Sequence, residues 1–220
     1  MRVRRGETTL KWIDELQKLR VIPVVRLKDA DTAVPMAAAL RRGGLPCAEI
    51  TFRTPAAAES LRRIHEADPE FLLAAGTVLT TAQADAAMAA GAAFLVSPGF
   101  NAKVAVHCID HGYPLVPGIC TPSEIETALS AGLMWLKFFP AEASGGVAML
   151  RALHSPYGMV RFMPTGGITP TNLADYLACP SVFACGGSWI VPDSALEAGD
   201  FDEIERLAFG AAAIGKGDHK

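Results

Sequence analysis

Apolar runs of strand length alternate with alanine-rich amphipathic runs along the whole chain. Leu10, Ile13, Leu16 and Leu19 are spaced as one face of a helix, which predicts a helix over 8–20. Strands are then predicted at 21–27, 47–53, 71–78, 92–97, 114–119, 134–139, 160–164 and 181–185. Helices are predicted at 32–42, 56–67, 82–90, 103–111, 123–131, 146–154, 171–178 and 201–214. Gly43-Gly44, Gly91 and Gly132 stand where three of these helices should stop. The strands are continuously apolar, as strands covered on both faces are. Eight strand–helix units with short connections predict a single α/β domain over 1–220, a closed (β/α)₈ TIM barrel with an extra N-terminal helix. An open doubly wound sheet would carry a glycine fingerprint after its first strand, where Leu27-Lys28-Asp29 stands instead. The polar tail 215–220 is expected to fray.

Composition narrows the class. With 220 residues, half of them apolar, the chain can bury a large core. A net charge of -3 with interspersed signs leaves no footprint for nucleic acid. The basic start Met1 to Arg5 is followed by charged residues and so does not read as a signal peptide, and no apolar run reaches membrane-spanning length. Cys47, Cys108, Cys120, Cys179 and Cys185 are odd in number and have no CxxC spacing. They read as reduced core residues in a cytoplasmic protein.

The candidate chemistry lies at the strand ends, where barrels of this class keep their active sites. Within Met134-Trp135-Leu136-Lys137-Phe138-Phe139-Pro140, the period of two places Lys137 on the face of Trp135 and Phe139. An ammonium among apolar neighbours is costly unless paired. A desolvated amine is a usable nucleophile and forms Schiff bases with carbonyls. The plainer alternative is a lysine that snorkels its head to water. Glu49, Thr51 and Arg53 share one parity in the second strand. If that face points inward, a carboxylate and a guanidinium lie inside, either as a structural ion pair or as catalytic and binding groups. An amine for a carbonyl, a carboxylate to move protons and a guanidinium for a carboxylate together describe a site for an α-keto acid.

Two double-glycine turns, Gly166-Gly167 and Gly186-Gly187, follow the seventh and eighth strands, flanked by Thr165 and Ser188. Loops at those two places are the common phosphate site of the architecture. Arg26 ends the first strand and is open to two roles, a substrate contact or a rim salt bridge. The histidines at 65, 107, 111, 154 and 219 fall on helices, helix ends or the tail and read as surface residues. No histidine spacing or acidic cluster predicts a metal site, and no cofactor is expected.

Eight segments, taken in order, carry a resemblance: Ile22-Pro23-Val24-Val25, Glu49-Ile50-Thr51-Phe52-Arg53-Thr54, Ala75-Gly76-Thr77-Val78-Leu79, Ser97-Pro98-Gly99, Pro117-Gly118-Ile119, Lys137-Phe138-Phe139-Pro140-Ala141-Glu142, Pro164-Thr165-Gly166-Gly167-Ile168 and Gly186-Gly187-Ser188-Trp189. Over about 13–214 the chain resembles the 2-keto-3-deoxy-6-phosphogluconate (KDPG) and 4-hydroxy-2-oxoglutarate (KHG) aldolase family. The resemblance implies a class I aldolase of the Entner–Doudoroff pathway, which cleaves the phosphorylated keto-deoxy acid to pyruvate and glyceraldehyde 3-phosphate. It implies Lys137 as the Schiff-base lysine and Glu49 as the general acid/base. Arg53 and Thr77 would hold the pyruvate carboxylate, and Phe139 would pack on the pyruvyl part. Thr165, Gly166, Gly167 and Ser188 would hold the phosphate. It further implies a homotrimer without metal. Arg26 departs from the aliphatic residue also familiar there and keeps the C4-epimeric 6-phosphogalactonate substrate open. A phosphosugar isomerase on the same barrel, without a Schiff base, and a non-catalytic phosphometabolite-binding protein are the competing readings.

Overall fold

The computed structural model describes residues 7–217. The basic start, His219 and the last three residues of the polar tail lie outside them. An N-terminal helix, α1 (Glu7–Leu19), precedes a run of alternating elements: β1 (Val21–Val25), α2 (Ala33–Arg42), β2 (Cys47–Thr51), α3 (Ala57–Ala67), β3 (Leu72–Gly76), α4 (Thr81–Ala89), β4 (Phe94–Val96) and α5 (Ala102–His111). These are followed by β5 (Leu115–Val116), β6 (Gly118–Ile119), α6 (Pro122–Ser130), β7 (Trp135–Phe138), α7 (Gly146–His154), β8 (Arg161–Pro164), α8 (Leu173–Leu177), β9 (Cys185–Gly187), α9 (Asp193–Ala198) and α10 (Phe201–Lys216).

All strand pairs are parallel, in an α/β fold. One sheet has six strands in the order β5-β4-β3-β2-β1-β9, and the other has three in the order β6-β7-β8. Pro117 alone separates β5 from β6. At the other junction, single parallel bridges join Phe162 to Val182 and Thr165 to Gly186. Helix starts are set locally. Thr80 with Gln83, and Thr121 with Glu124, form capping boxes, and Pro122 opens the first turn of α6. On α1, Trp12, Ile13 and Leu16 are buried, and Trp12 stacks on Phe94, the first residue of β4, at 4.3 Å. This helix therefore packs at the N-terminal edge of the strands and leaves the C-terminal edge to the loops.

Several expectations need correction. The last strand is Cys185–Gly187, not 181–185, because its hydrogen-bonding register is set by β1: Val21 pairs with Cys185 and Pro23 with Gly187. The helix α9 was not anticipated. The tail does not fray at 215, since α10 runs to Lys216 and ends on Gly217 in the left-handed conformation. Two histidines are not plain surface residues. Half-buried His107 bonds Asp85 at 2.7 Å, and His154 is half-buried with Nδ1 unpartnered. All five cysteines are free, and four are buried. No helix among the described residues is long and apolar enough to cross a membrane.

Candidate active site

Lys137 is the third residue of β7. Its neighbours in register are Gly118 of β6 and Met163 of β8. Glu49 is the third residue of β2, between Val24 of β1 and Ala74 of β3. These strands belong to different sheets, yet Lys137 Nζ donates to Glu49 Oε1 at 3.1 Å, across 88 residues of sequence. Both side chains must therefore point into the space the two sheets enclose. Lys137 is 5% exposed and Glu49 0%. Two charges so buried are tolerable only because each neutralises the other. Lys137 does not snorkel. Its Nζ also lies 5.4 Å from the centroid of the Phe139 ring, on the face that strand parity assigns to both.

Glu49 Oε2 has no hydrogen-bond partner although it is buried. A buried carboxylate oxygen with a free lone pair is rare in a purely structural ion pair and is suited to proton transfer. The position of this carboxylate depends on a residue that the sequence does not advertise as functional. A Cβ on Gly76 would stand 2.1 Å from Glu49 Oε1 and 2.6 Å from its Cγ, so only glycine at the end of β3 leaves room. Gly76→Ala should accordingly displace the carboxylate. Proton transfer by Glu49 should then slow by roughly 100-fold, the effect of an ångström-scale misplacement.

β2 ends at Thr51 and the chain turns there, so Arg53 stands just beyond the strand that carries Glu49. Arg53 is exposed, and among the described residues it has no ion-pair partner. It lines a cavity of about 350 Å³ at the C-terminal ends of β1, β2 and β9, together with Arg26, Thr51, Ser188 and Asp193. Thr51 is spoken for, because its hydroxyl donates to the Val25 carbonyl at 2.9 Å. Arg26 forms an ion pair with Asp193 at the start of α9, one of the two roles open to it from sequence. Ser188 is exposed in the same cavity.

The remaining candidates sit at neighbouring strand ends. Thr77, directly after β3, has φ +55°, a strained conformation for a β-branched residue and one that concentrates at functional sites. Thr165 is buried with its hydroxyl unpartnered, and it bridges to Gly186, which ties the two glycine turns together. Gly166 (φ +101°) and Gly167 (φ +80°) both adopt conformations open to glycine. Among the described residues no three His, Cys, Asp or Glu side chains converge as metal ligands would. The arrangement can therefore offer a buried amine hydrogen-bonded to a carboxylate, an aromatic ring beside the amine, and a cationic cavity next to glycine turns. Gly76 and Asp193 were missed from sequence. Gly76 could have been found in Ala75-Gly76-Thr77, since small residues at a strand end leave room for a side chain from the next strand.

Comparison with known proteins gives the same direction. A model of the KDPG and KHG aldolase family matches residues 13–207. The 2-dehydro-3-deoxy-phosphogluconate aldolase of Treponema pallidum (strain Nichols) is 54% identical over 195 residues, covering 89% of this chain and 93% of its own. A KDPG aldolase structure from Legionella pneumophila, with pyruvate captured as a covalent carbinolamine intermediate, superposes with a TM-score of 0.87 at 37% identity over 93% of this chain and 98% of that one. The 2-keto-3-deoxy-6-phosphogluconate aldolase of Zymomonas mobilis ZM4, solved with 3-phosphoglycerate, gives 0.86 at 41% identity, covering 92% and 95%.

Proposed function

The chain belongs to the KDPG and KHG aldolase family and is an aldolase, and from that premise we propose how its residues cleave 2-keto-3-deoxy-6-phosphogluconate to pyruvate and glyceraldehyde 3-phosphate. The observation that carries the mechanism is the buried 3.1 Å contact between Lys137 Nζ and Glu49 Oε1. A proton passing along it leaves a neutral amine, which attacks the C2 carbonyl. Glu49 gives the proton it took to the departing carbinolamine hydroxyl, so that loss of water leaves a protonated imine, an electron sink, with Glu49 again a carboxylate. Glu49 takes the C4 hydroxyl proton, directly or through a water, as the C3–C4 bond breaks and its electron pair flows into the imine as an enamine. The aldehyde leaves. Glu49 then returns a proton to C3, and water hydrolyses the imine to free pyruvate and Lys137. One carboxylate serves every proton transfer.

Arg53 and Thr77 hold the substrate carboxylate, Phe139 packs on the pyruvyl part, and Thr165, Gly166, Gly167 and Ser188 hold the phosphate. The unpartnered Thr165 hydroxyl and the two positive-φ glycines support the phosphate assignment. For the fold, the proposal is one domain forming a closed (β/α)₈ barrel. In it, β5 and β6 are two halves of one strand about Pro117, and the bridges at Phe162 and Thr165 close the ring. The pairing of Glu49 with Lys137 across it supports that closure. The family resemblance supports a cytoplasmic homotrimer serving the Entner–Doudoroff pathway, and light scattering measures the trimer.

The test is pyruvate release from the phosphogluconate substrate, its C4 epimer and 4-hydroxy-2-oxoglutarate. No release from any of them would end the proposal. Ser188→Ala refines it. A hydrogen bond to a charged group contributes about 1.5–3 kcal/mol, so the kcat/KM ratio of phosphorylated to unphosphorylated substrate should fall roughly 10- to 100-fold. Equal losses on both would remove Ser188 from the phosphate site.

A further inference from the structure

Glu142 ends the motif that begins at Lys137, and the mechanism leaves it without a role. It opens a 3₁₀ turn, Glu142–Ser144, after β7. Although the residue is exposed, its carboxylate accepts a hydrogen bond from the hydroxyl of Tyr176, a fully buried side chain of α8. Burial and the adjoining carboxylate raise the tyrosine's pKa well above its usual value, so the hydroxyl remains a donor. The stem of Glu142 lies against the second glycine of the 166–167 turn: a Cβ on Gly167 would stand 2.6 Å from both its Cβ and Cγ. The Glu142 backbone N–H donates to Gly166 O at 3.0 Å, and Asn172 Nδ2 donates to Gly167 O at 3.1 Å. The two carbonyls of the turn are thus held from the β7 side and from the approach to α8. Among the described residues, the N–H groups of Gly166 and Gly167 make no hydrogen bond.

We propose that Glu142, locked by Tyr176, is a positioning residue that fixes the Gly166-Gly167 turn and so sets the preference for phosphorylated over unphosphorylated substrate. The inference rests on the phosphate-site reading given above. The turn has glycine's backbone freedom, and its N–H groups can serve an anion only if that freedom is removed beforehand. The stem and N–H of Glu142 remove it, and the Tyr176 hydroxyl keeps the carboxylate from swinging to water. The same arrangement ties the turn to the strand carrying Lys137, so the distance between amine and phosphate site is held by one short segment.

Tyr176→Phe deletes one hydroxyl and keeps the core filled. The kcat/KM ratio of phosphogluconate substrate to 4-hydroxy-2-oxoglutarate should fall roughly 10- to 100-fold, the scale of an ångström-level misplacement or a lost charged hydrogen bond. Glu142→Ala should match it. Glu142→Gln keeps the stem and an oxygen that accepts from Tyr176, and its ratio should stay near the parent's. Exchange of pyruvate methyl protons, which involves no phosphate, is measured on each variant. An unchanged ratio in Tyr176→Phe and Glu142→Ala, or a fall in Glu142→Gln as large as in Glu142→Ala, overturns the inference. So does a parallel loss of ratio and exchange, which marks general damage. Ser188→Ala run alongside separates the readings. A fall there alone keeps the phosphate site and removes Glu142 from it, while no fall in any variant removes both.

Discussion

Lys137→Met is expected to lose the Schiff base and with it nearly all turnover, by roughly 10⁴- to 10⁶-fold, the scale of losing a covalent nucleophile. Pyruvate with borohydride should add one reduced pyruvyl group to the parent protein, located by peptide mass at Lys137, and none to the variant. Modification at another lysine would refute the assignment. Judged from sequence alone, methionine should be harmless to folding, as an apolar chain of similar length. The structure predicts otherwise. Glu49 is fully buried, and its Oε1 accepts from Lys137 while Oε2 has no partner. Removing the lysine leaves that carboxylate uncompensated, which costs about 3–5 kcal/mol when one member of a buried pair is deleted. Chemical denaturation should show this loss for Lys137→Met. Most of it should return in the double variant Lys137→Met/Glu49→Gln, where neither charge remains. Equal stability of the single variant and the parent would mean that the pair is not coupled.

Glu49→Gln is expected to slow every proton-transfer step by roughly 10²- to 10⁴-fold while imine formation remains detectable. The amide is close in volume, so the buried interior stays filled, and its carbonyl can still accept from Lys137. Exchange of the pyruvate methyl protons with deuterated water isolates the step, because it needs the imine and a base but no aldehyde. Parental exchange in Glu49→Gln would identify another group as the base. Gly76→Ala supplies an independent check. It leaves the carboxylate in place chemically and moves it sterically, so both variants should slow exchange while borohydride trapping persists.

The sequence by itself determined the order of elements, the parity of each strand and the residue types at the strand ends. These are local properties: apolar period, capping residues and glycine stops act over a few residues. The placing of Phe139, just past the end of β7, beside Lys137 could be read that way, and so could the glycine turns beside Thr165 and Ser188. What parity could not decide was where a strand stops. Glu49 and Arg53 share it on paper, but β2 ends at Thr51, and Arg53 lies in the cavity wall with Arg26 and Ser188. The last strand was misplaced for a related reason. The apolar run 181–185 looks more strand-like than Cys185–Gly187, yet hydrogen bonding to β1 selects the latter. The short helix α9 has too few residues to show a period, and its Asp193 meets Arg26 only through the fold.

Only tertiary structure decided that Glu49 belongs with Lys137, that Gly76 must lack a side chain for Glu49 to fit, and that Tyr176 reaches Glu142. Each of these pairs two segments far apart in the chain. The first distance is set by which faces the two sheets turn toward each other, the second by the register of β2 on β3, and the third by how α8 packs against the turn after β7, and none of these is a local property of the sequence.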